Sequence, residues 1–264
     1  MDRSLEEIEF LARSHNRVEC LEALSAGART RSELAAETGA SQPTLGRILR
    51  DFEERRWVER REDGYVATAT GRLVAEGIVD LRGILETEAT LREVIEWLPA
   101  GEMAVDLREL REATITTPTR TRPGAPASRV GELLADADRI RAVSHAFNER
   151  SLSGVREATV AGEGSFAGVF SRAAIDAVVD DEPLCRRLRG LLDASGATLR
   201  VVEGEVPLAV TVVDDVVALL LRDDDGILQA ALEVESPAVH RWAVDVHERY
   251  WEAGEPLAAA DLVR

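Results

Sequence analysis

The chain has 264 residues, 45% of them apolar, and sets 49 acidic against 32 basic side chains for a formal net charge of −17. That length suits two domains, each able to bury a core, and no apolar run approaches the roughly 20 residues that span a bilayer. So acidic a chain must concentrate positive charge locally if it is to touch DNA at all.

Met1-Asp2-Arg3-Ser4-Leu5-Glu6-Glu7 lacks a basic stretch followed by an apolar core, so no signal peptide is read there and the expected location is cytoplasmic. Every basic residue is arginine; the chain contains no lysine. With the acidic excess this is the look of a protein from a salt-rich cytoplasm, where charge keeps a surface soluble although salt screens over ~3 Å at 1 M. A GC-rich genome also favours Arg and Ala over Lys. Cys20 and Cys185 have no Cys or His at zinc spacing and read as buried thiols.

In chain order, residues 4–13 and 16–26 carry apolar side chains at helical spacing, Leu5, Ile8 and Leu11 and then Val18, Leu21 and Leu24. Gly27 ends the second helix. Thr30 with Glu33 forms a capping box for a short helix, 31–38, which Gly39 stops. Ser41 caps a longer one to about Arg56, with Pro43 in the first turn, where its missing N–H costs nothing. Residues 57–61 and 65–67 flank the turn signal Asp63-Gly64 and make a hairpin of wing size. Thr70 then caps a long helix to about Leu98. Val74, Gly77, Leu81, Ile84, Glu88, Leu91, Ile95 and Leu98 form an imperfect heptad seam along it, which suits pairing across a dimer or packing within one domain. Residues 99–127, with Pro118, Pro123 and Pro126 among threonines, read as an extended connector, and Ile115 as a short strand.

From residue 128 the texture is α/β. Helices are expected over 129–137, from Ser171 to Val179, from Pro183 to Leu192 and after Ser236-Pro237. Strands are expected at 140–143, 156–160, 166–170, 198–202, 208–213, 216–221 and 227–234. The fold class is therefore α/β (α+β overall): residues 1–98 a winged helix-turn-helix with a long connecting helix, and residues 128–264 an α/β domain with a mixed sheet, for which sensing or assembly is the expected role.

Ala35, Gly39, Leu45 and Ile48 have the spacing of a helix-turn-helix, in which a small residue and a tight turn let two helices cross and the second enters the major groove. Gln42, Thr44 and Arg47 are expected toward base edges. Ser41, Arg50, Arg60, Arg61, Arg29 and Arg31 are expected nearer phosphates. The competing reading is a winged-helix protein-interaction module without DNA affinity. No catalytic residue, metal site or cofactor is expected. Ala161-Gly162-Glu163-Gly164-Ser165 lacks a third glycine and reads as a turn. Asp214-Asp215 and the run Asp223-Asp224-Asp225 read as turns, and His240 and His247 as partly exposed helix residues.

With these segments in hand, the chain resembles archaeal winged-helix transcriptional regulators that carry a methanogenesis-regulatory-protein type C-terminal domain, especially those of halophiles. The carriers are the N-terminal pattern, Leu110-Arg111-Glu112-Ala113-Thr114-Ile115-Thr116, Pro118 and Pro123, residues 139–143 and 166–170, Val213-Asp214-Asp215-Val216, and Ser236-Pro237-Ala238-Val239-His240-Arg241-Trp242. The family is distantly similar to sugar-responsive regulators whose effector domain resembles half of a phospholipase D. A phospholipase D reaction needs a His-x-Lys pair, which a lysine-free chain lacks. The resemblance implies a regulator of transcription, its partners double-stranded DNA, a second copy of the chain and a small-molecule effector, with no membrane. His145, Asn148, Phe166 and Asp214, at strand ends, are the candidate effector contacts.

Overall fold

The computed structural model describes residues 2–161 and 164–262, and the chain divides into two compact units, Met1–Glu86 and Thr87–Arg264. Both halves have the expected fold class: a helical unit with a wing, then an α/β unit around a mixed sheet.

Unit 1 runs α1 (Arg3–Ala12), α2 (His15–Ala26), α3 (Arg31–Thr38), α4 (Gln42–Glu54), β1 (Val58–Arg61), β2 (Gly64–Ala67) and the start of α5 (Ala69–Leu91). Local chemistry fixes each boundary. Thr30 accepts the Glu33 amide, and the Glu33 carboxylate accepts the Thr30 amide at 2.7 Å. Those bonds from Thr30 hold the Glu33 carboxyl below the usual range. Gly39 takes φ 66°, the left-handed conformation that closes α3 and turns the chain toward α4. Ser41 caps α4 by accepting the Thr44 amide. Leu34, Leu45, Ile48, Leu49 and Phe52 are then sealed against Leu21 and Leu24 of α2.

The end of α4 uses a Schellman turn. The Trp57 amide donates to Phe52 carbonyl and the Arg56 amide to Glu53 carbonyl, both at 2.9 Å. The apolar contact that accompanies such turns is Phe52 against Trp57, ring centroids 5.9 Å apart. Arg56 occupies the left-handed position, φ 58°, which glycine fills most easily.

The wing pairs antiparallel from Val58↔Ala67 to Arg61↔Gly64. The segment before α3 joins it: Arg29 and Tyr65 exchange backbone hydrogen bonds of 2.9 and 2.8 Å. Gly64 sits at φ 131°, and a Cβ there would stand 2.4 Å from the Arg29 carbonyl oxygen, so only glycine fits.

Two details of the long helix differ from the sequence reading. Thr68, not Thr70, accepts the Gly71 amide and caps α5. The helix ends at Leu91 rather than Leu98, because Leu91, Val94 and Leu98 are all buried in the core of unit 2. That burial is met by tighter turns, with Val94 and Trp97 amides donating to carbonyls three residues back. The unit boundary at Glu86/Thr87 thus falls inside α5. Residues 99–127, expected as an extended connector, belong to unit 2: Met103 and Leu110 are in its core and Ile115 packs on it.

Unit 2 contains β3 (Thr114–Thr116), α6 (Ala125–Ala135), β4 (Arg139–Ser144), α7 (Glu149–Arg156), β5 (Ser165–Ser171), α8 (Arg172–Asp180), α9 (Glu182–Leu192), β6 (Ala197–Val202), β7 (Val210–Val213), β8 (Val216–Arg222), β9 (Leu228–Val234), α10 (Pro237–Ala253) and β10 (Glu255–Pro256). Among the described residues the sheet has the order β10-β6-β5-β4-β7-β8-β9-β3. Strands β4, β5 and β6 are parallel; every other pairing is antiparallel. Alternation along the strands divides the core between two faces. Ile140, Ala142, Phe166, Phe170 and Leu199 lie with α6, α7, α8 and α9, whereas Val143, Val169, Val210, Val217 and Leu232 lie with α10.

The segment 156–160, read from its β-branched residues as a strand, is helical: α7 passes into a π-turn at Glu157–Ala161. Ala158 is buried in the core and Thr159 donates its hydroxyl to Val155 carbonyl at 2.8 Å, so packing overrides propensity. Of the predicted turn around Gly162, Gly162 and Glu163 lie outside the described residues. Glu233 is buried and receives Arg129 in a two-pronged ion pair, with N···O distances of 2.8 to 3.1 Å, which joins α6 to β9.

Candidate functional site

In unit 1 the nine residues proposed to face DNA fall into two groups. Arg47 and Arg50 lie three residues apart on α4 and share a face; both are exposed, and among the described residues neither has an ion-pair or hydrogen-bond partner. Arg60 on the wing is exposed and stacks loosely over Tyr65, 5.9 Å from the ring centroid. Arg56, which the sequence reading did not single out, is a further exposed cation with no side-chain partner among the described residues. Its signal was weak, because an arginine at a helix end looks like a solvated terminus.

The rest are engaged within the fold. Arg29 donates to Glu37 at 2.8 Å, and Arg61 makes two bonds to Glu59, at 2.9 and 2.6 Å. Arg31 Nη2 donates to Gln42 carbonyl at 2.6 Å, and Gln42 Nε2 donates back to Arg31 carbonyl at 3.2 Å. This reciprocal pair spans the α3–α4 elbow. Ser41 and Thr44 hydroxyls lie 2.9 Å apart at the α4 cap. Gln42 is exposed and Thr44 half-buried. Other arginines of the unit serve the core's edge: Arg55 pairs with Glu7 at 2.7 Å, and Arg17 and Arg55 sit 3.9 and 3.7 Å from the Phe10 ring centroid.

The four candidate effector residues of unit 2 do not converge. Asn148 and Phe166 line one narrow apolar cavity between the sheet and α6–α7, beside Phe147 stacked on Phe170 at 3.9 Å. Asn148 spends its side chain capping α7, accepting the Ser151 amide at 2.7 Å. Asp214 sits at the opposite end of the sheet, past β7 and beside the start of β4. Its φ is 51°, and its carboxylate accepts the amides of Arg139 and Asp138 at 2.9 and 3.3 Å. Its carboxylate is thus engaged in closing a turn.

His145 lies in a different cavity of about 560 Å³, lined also by Trp97, Ser171, Gly204, Glu205 and Arg222. Burial lowers the His145 pKa, and the nearby charge of Arg222 lowers it further; carbonyls of Leu208 and Val206 oppose them. The ring is therefore neutral near pH 7. Sequence reasoning missed Arg222, which ends the apolar run of β8 just before three aspartates and looks like the start of a solvated turn. On α10, His240 Nε2 lies 3.1 Å from Asp214 carbonyl. His247, expected to be partly exposed, is buried with Nε2 3.0 Å from Ala167 carbonyl. Cys20 and Cys185 are buried free thiols, and burial pushes Cys20 up to about 11. No described helix is long and apolar enough to cross a membrane.

Residues 5–90 match the family model of the HVO_A0261 N-terminal domain, and residues 123–253 match that of the middle domain of methanogenesis regulatory protein FilR1. No curated protein matches the chain. Among solved structures, TrmBL2, described as an archaeal chromatin protein with a novel mode of DNA binding, is 15% identical with a TM-score of 0.39, over 96% of this chain and 99% of its own. The phospholipase D family member Nuc from Salmonella typhimurium is 13% identical with a TM-score of 0.44, over 55% of this chain and 99% of its own. NucT from Helicobacter pylori is 8% identical with a TM-score of 0.42, over 55% and 98%. The two family matches together span most of the chain, which belongs to the archaeal winged-helix transcription regulators that join an HVO_A0261-type N-terminal domain to a FilR1-type middle domain.

Proposed function

We propose that this regulator binds double-stranded DNA sequence-specifically as a homodimer and answers to a small-molecule effector held in unit 2, without catalysing a reaction. The observation that carries the DNA reading is the set Arg47, Arg50, Arg56 and Arg60. These exposed cations on α4, its terminal turn and the wing lack carboxylate partners among the described residues, within a chain of net charge −17. Arg47, nearest the start of α4, is the base-reading residue, and Arg50, Arg56 and Arg60 grip phosphates. Gln42 and Thr44 reach bases only by leaving the bonds they hold at the elbow and cap.

Support for the dimer comes from an apolar groove of about 510 Å³ in unit 1, lined by Ile8, Leu11, Val74, Ile78 and Leu81 of α1 and α5. Leu5, Ile84 and Leu85 are also exposed, Leu5 at 62%. An exposed apolar surface of this kind marks an interaction site, and a second copy would set two α4 helices at half-sites about 34–36 Å apart. Leu81 is the residue on which to test it, since Leu91 is a core residue of unit 2.

Fluorescence anisotropy with the gene's own upstream DNA, over a salt series, tests the reading. Wild type is expected to bind and Arg47→Ala to bind at least tenfold more weakly. The protein-interaction alternative draws support from the Arg29–Glu37 and Arg61–Glu59 pairs, which neutralise two expected phosphate contacts; absence of binding by wild type at every salt concentration would favour it. Light scattering on Leu81→Asp tests the dimer: a mass equal to wild type would remove α5 from the interface.

A further inference from the structure

The cavity that holds His145 lies where β4, β5, β6 and β8 all end, the edge at which open α/β sheets bind ligands. Arg222 is half-buried there and has no carboxylate partner among the described residues. Its Nη1 donates to Gly226 carbonyl at 2.8 Å, while its Nε is sealed from solvent and unpartnered. Its Nη2 has no protein acceptor among the described residues. His145 Nδ1 is likewise sealed and unpartnered. A half-buried guanidinium with a sealed, unpartnered Nε and no counter-charge is unfavourable, and such a group in a cavity points to a missing partner.

The acids around the cavity decide the rest of the ligand. Asp223 is committed to its own turn, accepting the amides of Asp225 and Ile227 at 3.1 and 2.8 Å and a bond from Gln229. Glu205 and Asp224 are exposed and uncommitted among the described residues. The cavity thus carries both signs, positive at the half-buried Arg222 and negative at the exposed Glu205 and Asp224. A simple anion is repelled by the two acids, and a simple cation by Arg222. Trp97 supplies an apolar wall.

We infer that this cavity binds a small bipolar carboxylate: an acid group against Arg222, with ammonium or hydroxyl donors at the other end facing Glu205 and Asp224. The inference rests on the effector half of the proposed function and names the chemistry of its ligand. Burial of the neutral His145 beside Arg222 agrees with it, because a second cation there would compete for the same acid group.

Titration calorimetry on the full chain without DNA tests the inference. One arm presents α-amino acids and a second presents gluconate, which separates ammonium from hydroxyl donors. Acetate and the amides of the same acids are the controls. A bipolar acid is expected to bind, acetate and the amides to bind at least tenfold more weakly, and Arg222→Gln to weaken the bipolar acid at least tenfold. If no bipolar acid binds, or if Arg222→Gln leaves binding unchanged, the inference fails. Melting of unliganded Arg222→Met gives a second readout. Removal of an uncompensated cation should raise the midpoint by a few degrees, and a lower midpoint would mark Arg222 as a structural residue and overturn the assignment. A ligand that binds yet leaves DNA affinity unaltered would keep the cavity's assignment and remove only its regulatory role.

Discussion

The two units leave charge unsatisfied in opposite places. In unit 1 the unpartnered arginines stand outside, on α4 and the wing, where water solvates them. In unit 2 the unpartnered nitrogens of Arg222 and His145 are inside, where solvation is lost. An exterior cation costs little to keep and meets a partner as large as a duplex; an interior one is costly and suits only a ligand small enough to enter. The position of the unsatisfied group thus indicates the size of the partner, although both groups are arginine.

The most severe way to break this comparison is to remove a core. Phe52 of α4 is fully buried against Trp57, and Phe52→Ala should cost about 3–5 kcal/mol. Denaturant unfolding followed by tryptophan fluorescence should then show unit 1 melting ahead of unit 2; a single shifted transition would show the cores to be coupled. The ion pair of the buried Glu233 with the half-exposed Arg129 comes next. Glu233→Gln leaves Arg129 with only the more distant Glu132 and should destabilise unit 2 by about 1 kcal/mol, read as a lower urea midpoint.

On the DNA side, Arg60→Ala should lower affinity by less than Arg47→Ala does and reduce the slope of log K against log salt by about 1. An unchanged slope would place the wing away from phosphate. Acid sharpens the inner side of the comparison. Burial lowers the pKa of His247 and His145 below the ordinary 6.5. The folded state thus resists protons that the unfolded chain accepts, and the stability these groups contribute is full above pH 6.5 and is lost as pH falls through their depressed values. The urea midpoint of unit 2 should drop between pH 7 and 5, and His247→Asn should flatten that drop. A similarly small effect belongs to Arg56→Gly. It relieves a left-handed arginine and should raise unit 1 stability by about 1 kcal/mol, while lowering the salt slope by removing a cation.

Unit 1 was legible in the sequence because its signals are local. Thr30 with Glu33, Gly39, Ser41 with Pro43, and Asp63-Gly64 each fix a backbone conformation through neighbours within a few residues, and each does so in the structure. The positions of α4 and the wing follow. The partners of distant side chains do not: nothing local reveals that Arg31 and Gln42, eleven residues apart, engage each other. In unit 2 most strands were legible from runs of Val, Leu and Ile. The π-turn at Glu157–Ala161 and the early end of α5 were not, since both answer to distant packing. The four expected effector residues lie apart for the same reason. Four strand-end residues looked equivalent along the chain, but Asp214 ends β7 at the edge opposite the one that His145 follows, and only the pairing of β4 with β7 reveals this.

The pair of hydrogen bonds between Arg29 and Tyr65 has a consequence for how the proposed DNA contact works. They stitch the hairpin to the entrance of α3, with Gly64 wedged against the Arg29 carbonyl. The hairpin is thereby a fixed strut whose distance from α4 is set when the domain folds. In the proposed dimer such a protomer would select a groove that already has the right width, and tolerance for imperfect operators would have to come from the angle between the copies.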